Sequence, residues 1–309
     1  MSGGLTWQQG PGQTGELLGP QGQPVARFHW GTGANHPYLD DLRPLTHRGV
    51  LTTHAPHDHR WHHGLWWSWK FVDDVLFWED HPGYGGNRSG LGRSLVREHA
   101  VREDNGRVTV HEQLDWTVDA TTEVLLTEQR EVTAGLDPLL AGAWVLDWDQ
   151  RWRATREVAL STTPWPQTSW GGYAGLNYRA ARAMADGEEI LASGGRSGAV
   201  AVHGEVATWA AYSGLVDGAE VDEPEVPGRG GVALLPHPAD EGAPHPVYAA
   251  TAADGFGFLA TAPLMHGDRV LAAGEDLRLR TRVVVLPGAP EPEVLETALA
   301  AWAAQPATA

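Results

Sequence analysis

Cysteine is absent from the 309 residues of this chain, which removes a disulfide framework, a thiolate metal site and a cysteine nucleophile while leaving the redox compartment open. Lysine is almost absent as well. Lys70 is the only one, and the formal net charge is -17. Neutralising a phosphate backbone takes clustered Lys and Arg, so this balance excludes nucleic acid as a partner. No apolar run approaches the roughly 18–20 residues of a membrane span, and the opening MSGGLTWQQG has neither a basic start nor an apolar core. These absences predict a cytoplasmic protein with no membrane contact. Internal repeats, low-complexity tracts and linkers are missing too, which leaves one domain over residues 1–309.

What the chain does have is tryptophan, 15 residues of it, and histidine in one dense stretch. HAPHDHRWHHGLWWSWKFVDDVLFWED, from His54 to Asp80, holds His54, His57, His59, His62 and His63, then Trp66, Trp67, Trp69 and Trp78. Imidazoles titrate near neutrality and ligate metals, and indoles are flat apolar faces with one donor edge. Together they predict a polar chemical site walled by aromatics.

Around this stretch the period is two almost everywhere. RVTVHEQLDWTV sets Val108, Val110, Leu114, Trp116 and Val118 against polar neighbours, and WVLDWDQRWRA sets Trp144, Leu146, Trp148 and Trp152 against Asp147, Asp149, Arg151 and Arg153. Further strands are expected over 25–30, 60–71, 124–132, 157–161, 199–203, 207–212, 232–235, 247–251, 257–261 and 277–286. The last of these, LRLRTRVVVL, opposes a Leu/Val face to an arginine face. Alternation along 60–71 would put His59, Trp61, His63, Leu65, Trp67 and Trp69 on one side, and Arg60, His62, Gly64, Trp66 and Ser68 on the other. Residues 289–304 form the one helix, with Val294, Leu295, Ala298, Leu299 and Trp302 on a shared face. The fold class is therefore all-β: a large antiparallel sandwich with a short C-terminal helix. The glycine-rich segment from His81 to Gly92 is a loop that either lies over a site or joins two strands. The acidic run from Asp217 to Glu225 reads as a solvated loop.

Taken in order, HPYLDDLRPL, APHDHRWHHGLWW, WGGYAGLNYRAAR, ATWAAYSG, GVALLPHP and LRLRTRVVVLPG resemble the PmoA-like or "methane oxygenase-like" family of uncharacterised soluble bacterial proteins. The most specific part is DH-x-x-H-x-G-L-W, at Asp58, His59, His62, Gly64, Leu65 and Trp66. The resemblance implies a galactose mutarotase-like β-supersandwich and an association with sugar catabolism. The methane label has no support in the chain, because a methane monooxygenase subunit is a bundle of membrane spans.

Three readings of the site follow. In the first, the protein is an enzyme acting on a sugar or modified sugar by proton transfer, of epimerase, lyase or hydrolase type. His59 or His62 is then the acid, Glu79 or Asp80 the base, and His237 a further candidate. His54, Trp66, Trp170, Asn177, Arg179 and Trp209 hold the carbohydrate. The second is a metal-dependent enzyme, hydrolytic or oxidative, in which His57, His59 and His63 share a strand face toward a divalent ion and Asp58 or Glu79 completes the set. The third is a carbohydrate-binding protein that keeps the pocket without the chemistry. The acidic surface and the arginine-faced strand also permit a homodimer.

Overall fold

Alternation from Arg107 onward builds four long strands, Arg107–Val118, Val124–Leu136, Trp144–Ala154 and Asp276–Leu286, and the bulged strand Gly92–Asp104 pairs with the first of them. In this computed structural model, which describes all residues except 1–2, 32, 47, 82, 84–89, 138, 218–227 and 306–309, they form one side of a nine-stranded antiparallel sheet. Arg229–Pro236, Ala210–Leu215, Glu189–Ala192 and Arg196–Ser197 complete it.

A second nine-stranded sheet runs in the order Thr6–Gln9, Thr14–Leu18, Pro24–His29, Tyr38–Asp40, Leu65–Ser68, Gly175–Arg179, Phe256–Thr261, His245–Ala252 and Val206–Ala207. A small sheet of Arg269–Leu271, Val158–Ser161, Phe71–Val72 and Val75–Leu76 lies beside them. The chain is thus an antiparallel β-sandwich with a short C-terminal helix. Among the described residues, no helix is long and apolar enough to cross a membrane.

The faces of the strands follow from their sequences. Trp144, Leu146, Trp148 and Trp152 point inward and are fully buried. Trp67 and Trp69 meet Trp152 at centroid separations of 5.0 and 5.1 Å, which locks the first sheet to the second. A buried indole of this size contributes roughly 2–3 kcal/mol or more through apolar area, so this cluster anchors the sandwich. On the outer side, Arg282 donates to Asp147 at 2.6 and 2.9 Å, Arg278 grips Asp149, and Arg280 binds Asp240 at 2.8 Å. The arginine face is therefore matched by carboxylates of the same chain. The helix Pro292–Ala303 begins with Pro at its first turn and buries Leu295, Ala298 and Trp302 against Val145, Val284 and Leu235.

Three local expectations are corrected. The strand predicted over 60–71 is confined to Leu65–Ser68, because Gly64 sits at φ +88 and the chain before it turns. A Cβ at Gly64 would come within 2.7 Å of the Leu39 carbonyl, so only glycine fits this approach. The segment 199–203 is a one-turn helix, Ala199–Val202, entered through Gly198 at φ +85. Finally, Gly92 begins a 13-residue strand where the sequence reading saw only the end of a loop. Most of that loop, and most of the acidic run from Asp217, lies outside the described residues.

Candidate active site

The turn at Gly64 decides where the histidines go. His59 N donates to the Pro56 carbonyl at 3.1 Å and His62 N to the His59 carbonyl at 2.9 Å, so 56–62 is a pair of tight turns rather than a strand. Strand parity consequently fails before Gly64. His59 and His62, expected on opposite faces, stand 4.7 Å apart between ring centroids on one cleft. That cleft, about 320 Å³, lies on the outer face of the second sheet, where Trp66, Trp78, Tyr248 and Phe258 form a buried aromatic cluster. Asp58, His59, Trp61, His62, Glu79, Trp170, Tyr173 and Phe256 complete its lining. Trp170 is more than half exposed and forms the mouth.

Two polar clusters face this cleft. In the first, His59 Nδ1–H donates to Asp58 Oδ2 at 2.9 Å, which directs Nε2 away from the carboxylate. Asp58 also accepts from Arg179 Nη2 at 3.2 Å and Arg182 Nη2 at 2.5 Å. Burial works against ionisation of Asp58, but the His59 hydrogen bond and the two guanidinium groups outweigh it and hold the carboxyl below its ordinary range. Arg179 is fully buried beneath the Phe256 ring at 3.9 Å, and burial pulls it down to about 10, still charged at neutral pH. His62 is driven well below the ordinary imidazole range, first by burial and then by His59 and Arg179, so it is neutral at pH 7.

The second cluster is built on Lys70. Its Nζ donates to Glu79 Oε1 and to Tyr173 Oη, the latter at 2.6 Å, and Tyr173 Oη–H donates to the same Glu79 oxygen at 3.0 Å. Lys70 is completely buried, so the cleft meets Glu79 and Tyr173 and not the amine. Burial pushes Glu79 up, only partly offset by Lys70, and pushes Lys70 down, only partly offset by Glu79. Glu79 Oε2 and His62 Nδ1 are buried without a hydrogen-bond partner among the described residues, an uncommon condition for polar atoms.

The remaining predicted residues divide among several places. Trp66 lies behind the cleft floor, and Asn177 Nδ2 donates to its carbonyl at 3.2 Å from the neighbouring strand. His54, His57 and His63 line a separate hollow of about 780 Å³ with His29, Tyr38 and Asp80, divided from the cleft by Trp61, which lines both. Trp209 is packed under the C-terminal helix, where its Nε1–H donates to Glu296 at 2.6 Å. His237 stands edge-on to Trp302 on the outer face of the first sheet. Neither reaches the cleft. His57, His59 and His63 do not converge: parity grouped them, but the turns send His59 to the other side. Among the described residues, no set of three or more His, Asp or Glu is placed to hold one metal ion.

Sequence reasoning missed Lys70, Tyr173, Tyr248, Phe256 and Phe258. Two signals were available: Lys70 is the only lysine, and Phe256 and Phe258 alternate on one strand face.

Comparison with known proteins adds little chemistry. The model of DUF6807, described as a family of unknown function, matches residues 18–300. No curated protein matches the chain. Among solved structures, one named "putative mutarotase (YeaD)" from Salmonella typhimurium is 10% identical, with a TM-score of 0.34 over 92% of this chain and 94% of that one. A TPR-domain containing protein from Parabacteroides distasonis is 11% identical, with a TM-score of 0.29 over 91% of this chain and 47% of its own.

Proposed function

Because the chain belongs to DUF6807, whose function is unknown, no activity comes with membership, and we propose from the site's own chemistry that it is an enzyme acting on a sugar or modified sugar by proton transfer. One observation carries this reading: two proton-exchanging clusters, Asp58–His59 and Glu79–Lys70–Tyr173, face a single cleft walled by aromatic rings.

Aromatic faces suit the C–H surfaces of a pyranose, and Trp170 at the mouth supplies one that a ligand can reach. With Asp58 holding Nδ1–H, the Nε2 atom of His59 accepts a proton when the ring is neutral and donates one when it is charged. Glu79 is the complementary group, since burial raises its carboxyl above its ordinary value and makes it the readier of the two carboxyls to hold a proton. Tyr173 and Lys70 fix one of its oxygens and leave Oε2 buried without a hydrogen-bond partner among the described residues. His62, held neutral by its surroundings, serves as a hydrogen-bonding wall beside His59. The sequence resemblance to the PmoA-like family, with its association with sugar catabolism, supports the same ligand class.

The test is a thermal-shift screen of neutral and oxidised sugars, followed by NMR of solvent-deuterium exchange and product formation for those that stabilise the protein. The expected result is a stabilising sugar that is turned over, with turnover lost in His59→Ala and in Glu79→Gln while binding persists. A sugar bound but never converted would make the cleft a binding module, and the absence of any stabilising sugar would overturn the ligand class.

A further inference from the structure

The hollow on the far side of Trp61 carries its own chemistry, independent of the reading of the cleft. His54 and His63 face each other across an isolated antiparallel bridge, locked by the hydrogen bond from Ala55 N to the His62 carbonyl at 2.7 Å. Directly opposed residues on antiparallel backbones hold their Cβ atoms about 4.5–5.5 Å apart, so two imidazoles placed there converge. Here the two Nδ1 atoms are 3.4 Å apart. Two metal–nitrogen bonds of about 2.0–2.1 Å at a tetrahedral angle put their nitrogens about 3.3–3.4 Å apart, so the spacing is that of a two-imidazole chelate.

The rings cannot drift from this arrangement. Tyr38 stacks on both, at 4.9 Å from His54 and 4.5 Å from His63 between centroids, and on its other neighbour His29 at 4.4 Å. His29 is itself tied through Nε2 to Asp40 at 2.9 Å. The pair opens into a hollow of about 780 Å³ lined also by Asn35, Arg60 and Asp80, which leaves space for two further oxygen ligands from solvent or a bound molecule.

We infer that His54 and His63 form a two-histidine site for a divalent transition-metal ion, of the zinc, nickel or copper class that imidazole favours, with its remaining coordination positions facing the hollow. The site keeps one residue of the expected metal set, His63, exchanges its strand-parity companions for the cross-bridge partner His54, and excludes His59.

The experiment is titration of tag-free protein, stripped with chelator, with nickel chloride and zinc chloride by calorimetry, and with cobalt chloride by visible absorption. One equivalent should bind. His54→Ala and, as a second variant, His54→Gln should each weaken it by at least about tenfold, since even outer-shell changes cost metal sites that much. His57→Ala, in the same hollow but outside the pair, should leave affinity and the cobalt spectrum unchanged. No binding to the wild-type protein, equal binding by both His54 variants, or an equal loss in His57→Ala would overturn the assignment. None of these outcomes bears on the sugar screen, so the two readings fail separately.

Discussion

At the scale of single residues, Asp58 and Lys70 each organise one of the two polar clusters that face the cleft. Asp58→Asn removes the acceptor that fixes the His59 tautomer and the charge that faces fully buried Arg179. Leaving a buried charge uncompensated costs about 3–5 kcal/mol, and the expected outcome is a loss of that order in chemical denaturation. Turnover of the sugar identified by the screen should fall by about 100-fold or more, with KM less affected than kcat. In Lys70→Met, Glu79 keeps the burial that pushes it up and loses the charge that pulls it down, so its carboxyl moves further above its ordinary value of 4.5. A carboxyl with a raised folded pKa gives stability that is complete below the unfolded value and lost as pH rises through the folded one. The urea midpoint of Lys70→Met should therefore decline as pH rises above about 4.5, and decline more steeply than that of the wild type.

At the scale of elements, the glycine before Leu65–Ser68 determines the site. Gly64→Ala puts a Cβ against the Leu39 carbonyl and asks an L-residue to hold φ +88. A cost above about 2 kcal/mol is expected, with broadening of the His59 and His62 imidazole NMR signals as the turns loosen. This element also shows how far the sequence could be read. Within Leu65–Ser68 the alternation holds, with Leu65 and Trp67 in the main core and Trp66 on the cleft side. Extended back to Arg60 it fails, because period two describes an extended chain and two consecutive turns reverse the side on which His59 emerges. The long strands from Arg107 onward were legible because each carries five or more alternating residues with one face buried. Gly175–Arg179 was not, since all five of its residues are buried and no alternation survives.

For the whole molecule, burial of neutral histidines sets the pH range of the fold. Burial first, and Arg130 second, lowers His36 to about 3, while burial lowers His237 and His245 to about 4. Each binds a proton more readily unfolded than folded, so stability is complete above the ordinary value of 6.5 and falls as pH drops below it. The slope is up to about 1.4 kcal/mol per pH unit for each such group, and the urea midpoint should drop sharply between about pH 6.5 and about pH 4.5. His36→Gln should flatten that drop. The sequence marks His237 as a candidate but announces the burial of none of the three, because the burial of a histidine depends on which distant strands close over it. Lys70 has a practical corollary at this scale. It is the chain's only side-chain amine and is sealed between Glu79 and Tyr173, so the folded protein offers an acylating reagent no side-chain amine to attack. An ester dye should reach Lys70 only in molecules that have opened, and the rate of that addition would count opening events one molecule at a time.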